Sequence, residues 1–528
     1  MSVSSNLRCN KWHAYFWPIH RHEIKKFLPL FCILACICFN YTILKAAKDT
    51  LVITAPRAGA EVIPFIKLYV ILPAALLMAY LLTRLFNRHS QERVFYIVVG
   101  SFLAFFLLFA FVLYPLRDVI HPTNLADSVQ AHLPQGFSGM ICVFRYWSYT
   151  LFYVIAELWG TAVMSVMFWG FVNEITSVGE AKRYYSILTV GANISTIMSG
   201  YITVLLSKQT LDLHRLFGED RWGQSIGLAT FAVVGSGLLM MGVFRWYHRK
   251  VIHTDHKLKK IQEERATKRR SIKLGIRKNF AYLIKSKYLI CTAIIVFAFH
   301  ISINMIEIIW KSQIRELYPN PNDFNTYMGK VLITIGWTSA LFALFVCNPL
   351  IRRWSWTLGA LITPIVLLAT GIFFFGFVLL KNHPLCTSCA AALGLTPLAL
   401  GVLLGFIQNV LSRVCKYTVF DTTKEIALIP LNPESKLKGK AAIDGIGSRL
   451  GKSGGSLLHS GFLMFFGSIS ISTPYVALLL LVIVLVWIGT AQSLGRQFNR
   501  LVSAHEKLTI RDKETSPSPE KKPLAESI

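Results

Sequence analysis

The apolar positions of this chain fall in long, nearly uncharged runs, not in the alternating or one-sided patterns of a water-soluble domain. Runs extend near Phe27–Leu44, Val62–Thr83, Val94–Tyr114, Phe144–Val172, Tyr184–Leu206 and Ser225–Tyr247. A second set lies near Tyr288–Trp310, Met328–Cys347, Trp354–Leu380, Ala391–Leu411, Ala441–Phe466 and Thr473–Gln492. Most approach or exceed the roughly 20 residues a helix needs to cross the hydrocarbon core of a bilayer. The eleventh, rich in Gly and Lys, is the weakest. The pattern predicts an all-α polytopic membrane protein with twelve transmembrane helices. Residues 1–26 form an N-terminal segment, 27–247 one six-helix half, 248–287 a basic linker, 288–495 the second half, and 496–528 a polar tail without regular structure.

The polar stretches between runs alternate in charge. The N-terminus, the segment with Arg84, Arg88 and Arg93, the linker, Arg352-Arg353, Lys416–Lys440 and the tail are basic, whereas Pro115–Met140, Lys208–Gly223 and Gly467–Ser472 carry little net positive charge. The positive-inside rule therefore places both termini and the linker in the cytoplasm. Arg21, Lys25 and Lys26 before Phe27–Leu44 resemble a signal peptide in outline, but no small-residue cleavage site follows, so this run reads as a signal anchor and first span. A faint internal repeat supports two related halves: Asn40, Lys45 and Pro56 against Asn304, Lys311 and Pro319, with Asn-to-Pro spacings of 16 and 15 residues. The expected architecture is the 6+6 arrangement of major facilitator transporters.

Composition narrows the function. The formal charge of +28 sits mainly between apolar runs, which fits cytoplasmic loops facing anionic lipid better than a nucleic-acid-binding face. The ten cysteines are scattered, mostly inside apolar runs; Cys386 and Cys389 form the only CxxC and lack a second ligand pair for zinc. Gly451-Lys452-Ser453 imitates the end of a phosphate-binding loop, but its first Gly would fall at Ile446. No cofactor, metal or nucleotide-hydrolysing site is expected.

The informative residues are ionisable groups inside the runs: Lys45, Lys48, Lys67, Arg145, Glu157, Glu307, Lys311, Arg413, Lys416, Arg449 and Lys452. Glu157 lies roughly 20 Å from either end of its run, where an unpaired charge facing lipid is costly, so it should face a bundle interior and have a partner. Arg413 and Lys416, near a span end, are expected to snorkel to the interface. Nine basic groups against two carboxylates describe a cavity that attracts highly charged anions and suits phosphate. That bias argues against a neutral sugar, an amino acid or a metal ion as cargo.

Six stretches carry a family resemblance: NYTILKAAKDTLVITA (Asn40–Ala55), AELWGTAVMSVMFWGFVNEIT (Ala156–Thr176), EAKRYY (Glu180–Tyr185), INMIEIIWKS (Ile303–Ser312), YTVFDTTKEIALIPL (Tyr417–Leu431) and KGKAAIDGIGSRLGKSGG (Lys438–Gly455). Over about Phe27 to Leu501 the chain resembles the ATP/ADP translocases of plastids and obligate intracellular bacteria, most of all the bacterial exchangers that import host ATP against ADP. The resemblance implies no chemistry on the nucleotide, and four transport residues, which fall on Lys67, Glu157, Glu307 and Lys452. It further implies a multi-pass protein of the bacterial inner membrane, expected to act as a monomer with ATP and ADP as substrates and inorganic phosphate leaving with ADP. Lys48, Arg145 and Lys311 are expected to join the phosphate ligands, Tyr41, Tyr146 or Trp169 to stack adenine, and Asn193 and Asn304 to bond base or ribose. A proton-coupled importer of several nucleotides on the same fold, and a phosphate or sugar-phosphate exchanger, are the competing readings.

Overall fold

The computed structural model describes residues 19, 23–176, 178–208, 220–252, 286–342, 355–431, 443 and 448–515. The long helices are α1 (Ile24–Ile53), α2 (Val62–Arg88), α3 (Gln91–Leu113), α4 (Trp147–Ile175), α5 (Val178–Lys208), α6 (Arg221–Val251), α7 (Lys287–Leu317), α8 (Pro321–Phe342), α9 (Trp356–Leu379), α10 (Pro397–Ala427), α11 (Ser448–Phe466) and α12 (Ile469–Thr515). Ten of them are long and apolar enough to cross a membrane; α8 and α11 are not within the described residues, so the twelve-span count stands as an expectation. Large apolar side chains, such as Phe373, Phe465 and Leu478, point outward and form the belt a lipid-facing bundle presents.

Local chemistry sets several helix starts. Ser90, Ser286, Ser355 and Thr396 cap α3, α7, α9 and α10 by accepting from the amides of Arg93, Leu289, Leu358 and Ala399, at 3.2–3.4 Å. Two boundaries differ from the sequence reading. Helix α1 continues past Leu44 to Ile53, because the charged groups in that extension pair inside the bundle and do not end the helix. Helix α12 runs past Arg500 to Thr515, so the expectation of irregular chain from 496 is corrected over that stretch. The linker holding Lys268 lies largely outside the described residues.

The two halves repeat each other. Helix α1 packs on α4, α5 and α6, and α7 packs on α10, α11 and α12 in the same order. The halves meet along α2 against α11 and α5 against α8. The second crossing is close because Gly200 faces Gly329: a Cβ on Gly200 would lie 2.9 Å from the Gly329 carbonyl oxygen. Small residues at such a crossing let two membrane helices approach backbone to backbone.

Polar contacts between the halves gather where α1 ends. Thr50 donates to Asn325 at 3.2 Å, Asn325 to Ser207 at 2.8 Å and Ser225 to Asn322 at 2.8 Å. Arg315 reaches back to the carbonyl oxygens of Ala55 and Ala58. Gly136 lies against the backbone of Leu463 and Met464. This end of the bundle is shut.

Orientation has a direct check. Cys386 and Cys389 are free thiols, and Cys389 is exposed on the short helix Pro384–Ala392. Cys389 is expected to react with an impermeant thiol reagent applied outside, whereas a cysteine placed at Lys268 should stay protected until the membrane is opened. The reverse pattern would invert the assignment.

Candidate functional site

Between the halves lies a cavity of about 340 Å³ lined by seven Lys or Arg side chains and three carboxylates. The basic groups are Lys45 and Lys48 on α1, Lys67 on α2, Lys311 on α7, Arg413 and Lys416 on α10, and Lys452 on α11; the acids are Asp49, Glu157 and Glu307. Three of the contributing helices widen into π-helical turns here, at Ile66–Ile71, Gly160–Phe168 and Lys416–Phe420. Such turns recur at functional sites, and these carry Lys67, Thr161, Lys416 and Tyr417 onto the wall.

Most of the charge is tied into one chain of ion pairs. Glu157 Oε2 meets Lys48 Nζ at 3.2 Å, and Lys48 meets Asp49 Oδ1 at 3.3 Å. Asp49 Oδ2 meets Lys311 Nζ at 2.7 Å, which joins the two halves. Lys311 meets Glu307 Oε1 at 2.8 Å, and Glu307 meets Arg413 Nη2 at 3.0 Å. Three cations and three anions thus neutralise one another out of water, which is the condition for keeping them buried. Tyr153 lies beneath Lys48, with its ring centre 3.6 Å from Nζ, and adds a cation–π contact. Lys416 pairs with Asp421 at 3.0 Å.

Lys45, Lys67 and Lys452 have no carboxylate within ion-pair distance among the described residues. Asn304 links two of them across the halves. Its Oδ1 accepts from Lys67 Nζ at 2.5 Å, while its Nδ2 donates to the Lys452 carbonyl at 3.2 Å and to Ser456 Oγ at 2.9 Å. The cavity therefore combines a neutral, cross-linked floor with a surplus of ammonium groups. It can receive a compact polyanion and offer little to a neutral solute.

The structure brings together eleven residues singled out from the sequence: Tyr41, Lys45, Lys48, Lys67, Glu157, Asn304, Glu307, Lys311, Arg413, Lys416 and Lys452. Tyr41 is seated by Gly160, where a Cβ would come within 2.9 Å of its ring, so the ring sits where a side chain on α4 would otherwise stand. Asn304 is in place on the cavity wall, where its amide bonds Lys67, the Lys452 carbonyl and Ser456.

Four residues lie elsewhere. Arg145 does not belong to the α4 span: the chain breaks at Tyr146 (φ −110°, ψ 53°), and Arg145 ends the separate helix Ser138–Arg145, paired with Asp127 at 2.5 Å. Tyr146 donates to the Pro56 carbonyl at 2.8 Å and stacks on Tyr149. The uninterrupted apolar run hid this break. Asn193 sits on α5 where it packs against Gly336 of α8. Trp169 packs edge-on against Tyr185. Arg413 and Lys416 turn into the cavity instead of snorkelling, because Glu307 and Asp421 receive them.

The residue missed by the sequence reading is Asp49, fully buried and bonded to cations of both halves. Its signal in the sequence is the adjacent Lys48 in KAAKD, which marks the chain beyond Leu44 as part of the cavity wall.

Comparison with known proteins agrees with this arrangement. The profile of the family described as TLC ATP/ADP transporter matches residues 3–498. The ADP,ATP carrier protein 1 of Chlamydia pneumoniae is 45% identical over 489 residues, covering 92% of this chain and 94% of its own. The chloroplastic ADP,ATP carrier protein 2 of Arabidopsis thaliana is 41% identical, covering 92% and 76%. Among solved structures, a bacterial homologue of the iron transporter ferroportin, in an inward-facing state, superposes with a TM-score of 0.53 at 15% identity, covering 90% of this chain and 100% of its own, a likeness of fold alone. On the profile match and these near-complete sequence relatives, the chain belongs to the TLC ATP/ADP transporter family.

Proposed function

We propose that this chain exchanges ADP from inside the cell for external ATP, by alternating access, in a bacterial inner membrane with both termini cytoplasmic. The observation that carries the reading is the trio Lys45, Lys67 and Lys452, cations without a carboxylate partner among the described residues, on the wall of a cavity whose other charges nearly balance. A nucleotide's phosphate tail supplies the missing negative charge. Lys48, Lys311, Glu157 and Glu307 hold the floor and pass the state of the site across the halves. Tyr41 offers a ring for the adenine, with Tyr417 on the same wall.

Strict exchange follows from the charge. The empty cavity repels itself and resists reorientation, and a bound nucleotide neutralises it and permits the halves to rock. ATP carries one more negative charge than ADP, and inorganic phosphate leaving with ADP would balance the cycle. A single chain contains the whole cavity, so a monomer suffices.

Proteoliposomes preloaded with ADP should take up labelled ATP, and empty ones should take up far less. Equal uptake into empty vesicles, collapsed by dissipating the proton gradient, would instead support the proton-coupled importer.

A further inference from the structure

A second, larger cavity of about 680 Å³ lies at the shut end, walled by both halves. It is separate from the central site and holds Arg57, Glu61, Asp127 and Arg145 on one side and Ser312 and Ser468 on the other. Two guanidinium groups converge on one carboxylate oxygen: Arg57 Nη1 lies 2.7 Å and Arg145 Nη2 2.5 Å from Asp127 Oδ1. One acid cannot neutralise two cations, so the trio keeps a positive charge. Glu61, the other acid on this wall, stands in the field of Arg315.

The cations are held differently. Arg145 is 3% exposed, and its Nε has no hydrogen-bond partner. The side chain of Arg57 is 71% exposed, and that of Asp127 is 42% exposed. Arg57 is the residue other than glycine with positive φ (54°) among those described, a conformation that costs energy and persists where the surroundings enforce it. A buried guanidinium, a second one at the rim and a half-exposed acid between them make an anion seat occupied by the protein's own carboxylate. Arg57, Asp127 and Arg145 all belong to the first half. Neither of their ion pairs crosses between the halves, unlike Asp49–Lys311. The seat therefore remains assembled on the wall of the mouth once this end opens.

We propose that Arg57 and Arg145 form a reception site for the phosphate tail of the incoming nucleotide, with Asp127 as the internal anion that the tail displaces. This rests on the exchange reading and on this end facing outward. Guanidinium pairs suit the planar, two-pronged recognition of phosphate oxygens. A charge at the rim acts on capture more than on the later steps.

The test compares the two faces of the full-length protein, using labelled ATP on intact expressing cells and labelled ADP on inverted membrane vesicles. Arg57→Gln is chosen because its side chain is largely exposed. It should raise the external KM about three- to fivefold, the size of one exposed charge contact, with maximal rate and the KM at the opposite face unchanged. Asp127→Asn removes the competing anion and should lower the external KM. The proposal is overturned if Arg57→Gln leaves the external KM unchanged or shifts both faces alike, or if Asp127→Asn raises it as Arg57→Gln does, since the trio would then be only a structural tie. The exchange reading is judged separately, by whether wild-type uptake needs internal nucleotide.

Discussion

Replacing Lys311 with Ala is expected to abolish exchange and to destabilise the folded protein by about 3–5 kcal/mol, the usual consequence of removing one partner from a buried ion pair. Lys311 is 2% exposed and holds two acids at once, Asp49 at 2.7 Å and Glu307 at 2.8 Å. Without it, Asp49, which is fully buried, keeps only Lys48 at 3.3 Å, and Glu307 only Arg413, among the ion-pair partners in the described residues. The stranded charge is the main cost, so Asp49→Asn added to Lys311→Ala should recover a large part of the lost stability. Exchange should not recover with it. The Asp49–Lys311 pair joins the halves beside the shut end, and the double variant lacks the contact that makes that state distinct. Thermal unfolding of purified protein reads the first effect, and ADP-loaded proteoliposomes read the second per folded molecule. A Lys311→Ala protein as stable as wild type would show that the cavity floor is wet and the pair weak. A double variant exchanging at the wild-type rate would reduce the pair to scaffolding.

The other large effect concerns discrimination of ADP and ATP from AMP. Adenine and ribose are common to all three, so the difference must be read from the phosphate tail. Lys67 comes from the first half and Lys452 from the second, and Asn304 holds one by its side chain and the other by its backbone. A tail of two or three phosphates can bridge both ammonium groups, and a single phosphate reaches fewer. Each charge-assisted hydrogen bond lost is worth about 1.5–3 kcal/mol, so AMP should bind at least tenfold more weakly. Lys67→Ala or Lys452→Ala should weaken ADP and ATP strongly and AMP little. Arg at either position should rescue in part, because a planar guanidinium does not fill the place of a compact ammonium. Displacement of labelled ATP by each nucleotide measures this in the purified wild type and variants. If each Ala variant weakens all three nucleotides equally, neither lysine reads the second phosphate.

Membrane crossing, the division into two halves and the identity of most cavity residues were legible in the sequence, and for one reason. In hydrocarbon a backbone must close its own hydrogen bonds and a charge must find a partner, so long apolar runs can only be helices and a Glu157 or Lys67 within them must face the interior. What the sequence could not express is which charge meets which. Asp49 looked like a residue beyond the end of a span until α1 was seen to continue to Ile53 and set it between Lys48 and Lys311. Arg145 reads from the sequence as a cavity cation at the start of a span, but a break at Tyr146 turns it toward Asp127 at the mouth. In the first case the outcome depends on a partner distant in sequence, since Lys311 lies 262 residues from Asp49; in the second, Asp127 lies only 18 residues from Arg145 but on a separate helix. Hydropathy along the chain fixes depth in the bilayer. Only the packing of α1 against α7, and of the two halves against each other, fixes which charges neutralise one another and which three keep no carboxylate partner among the described residues.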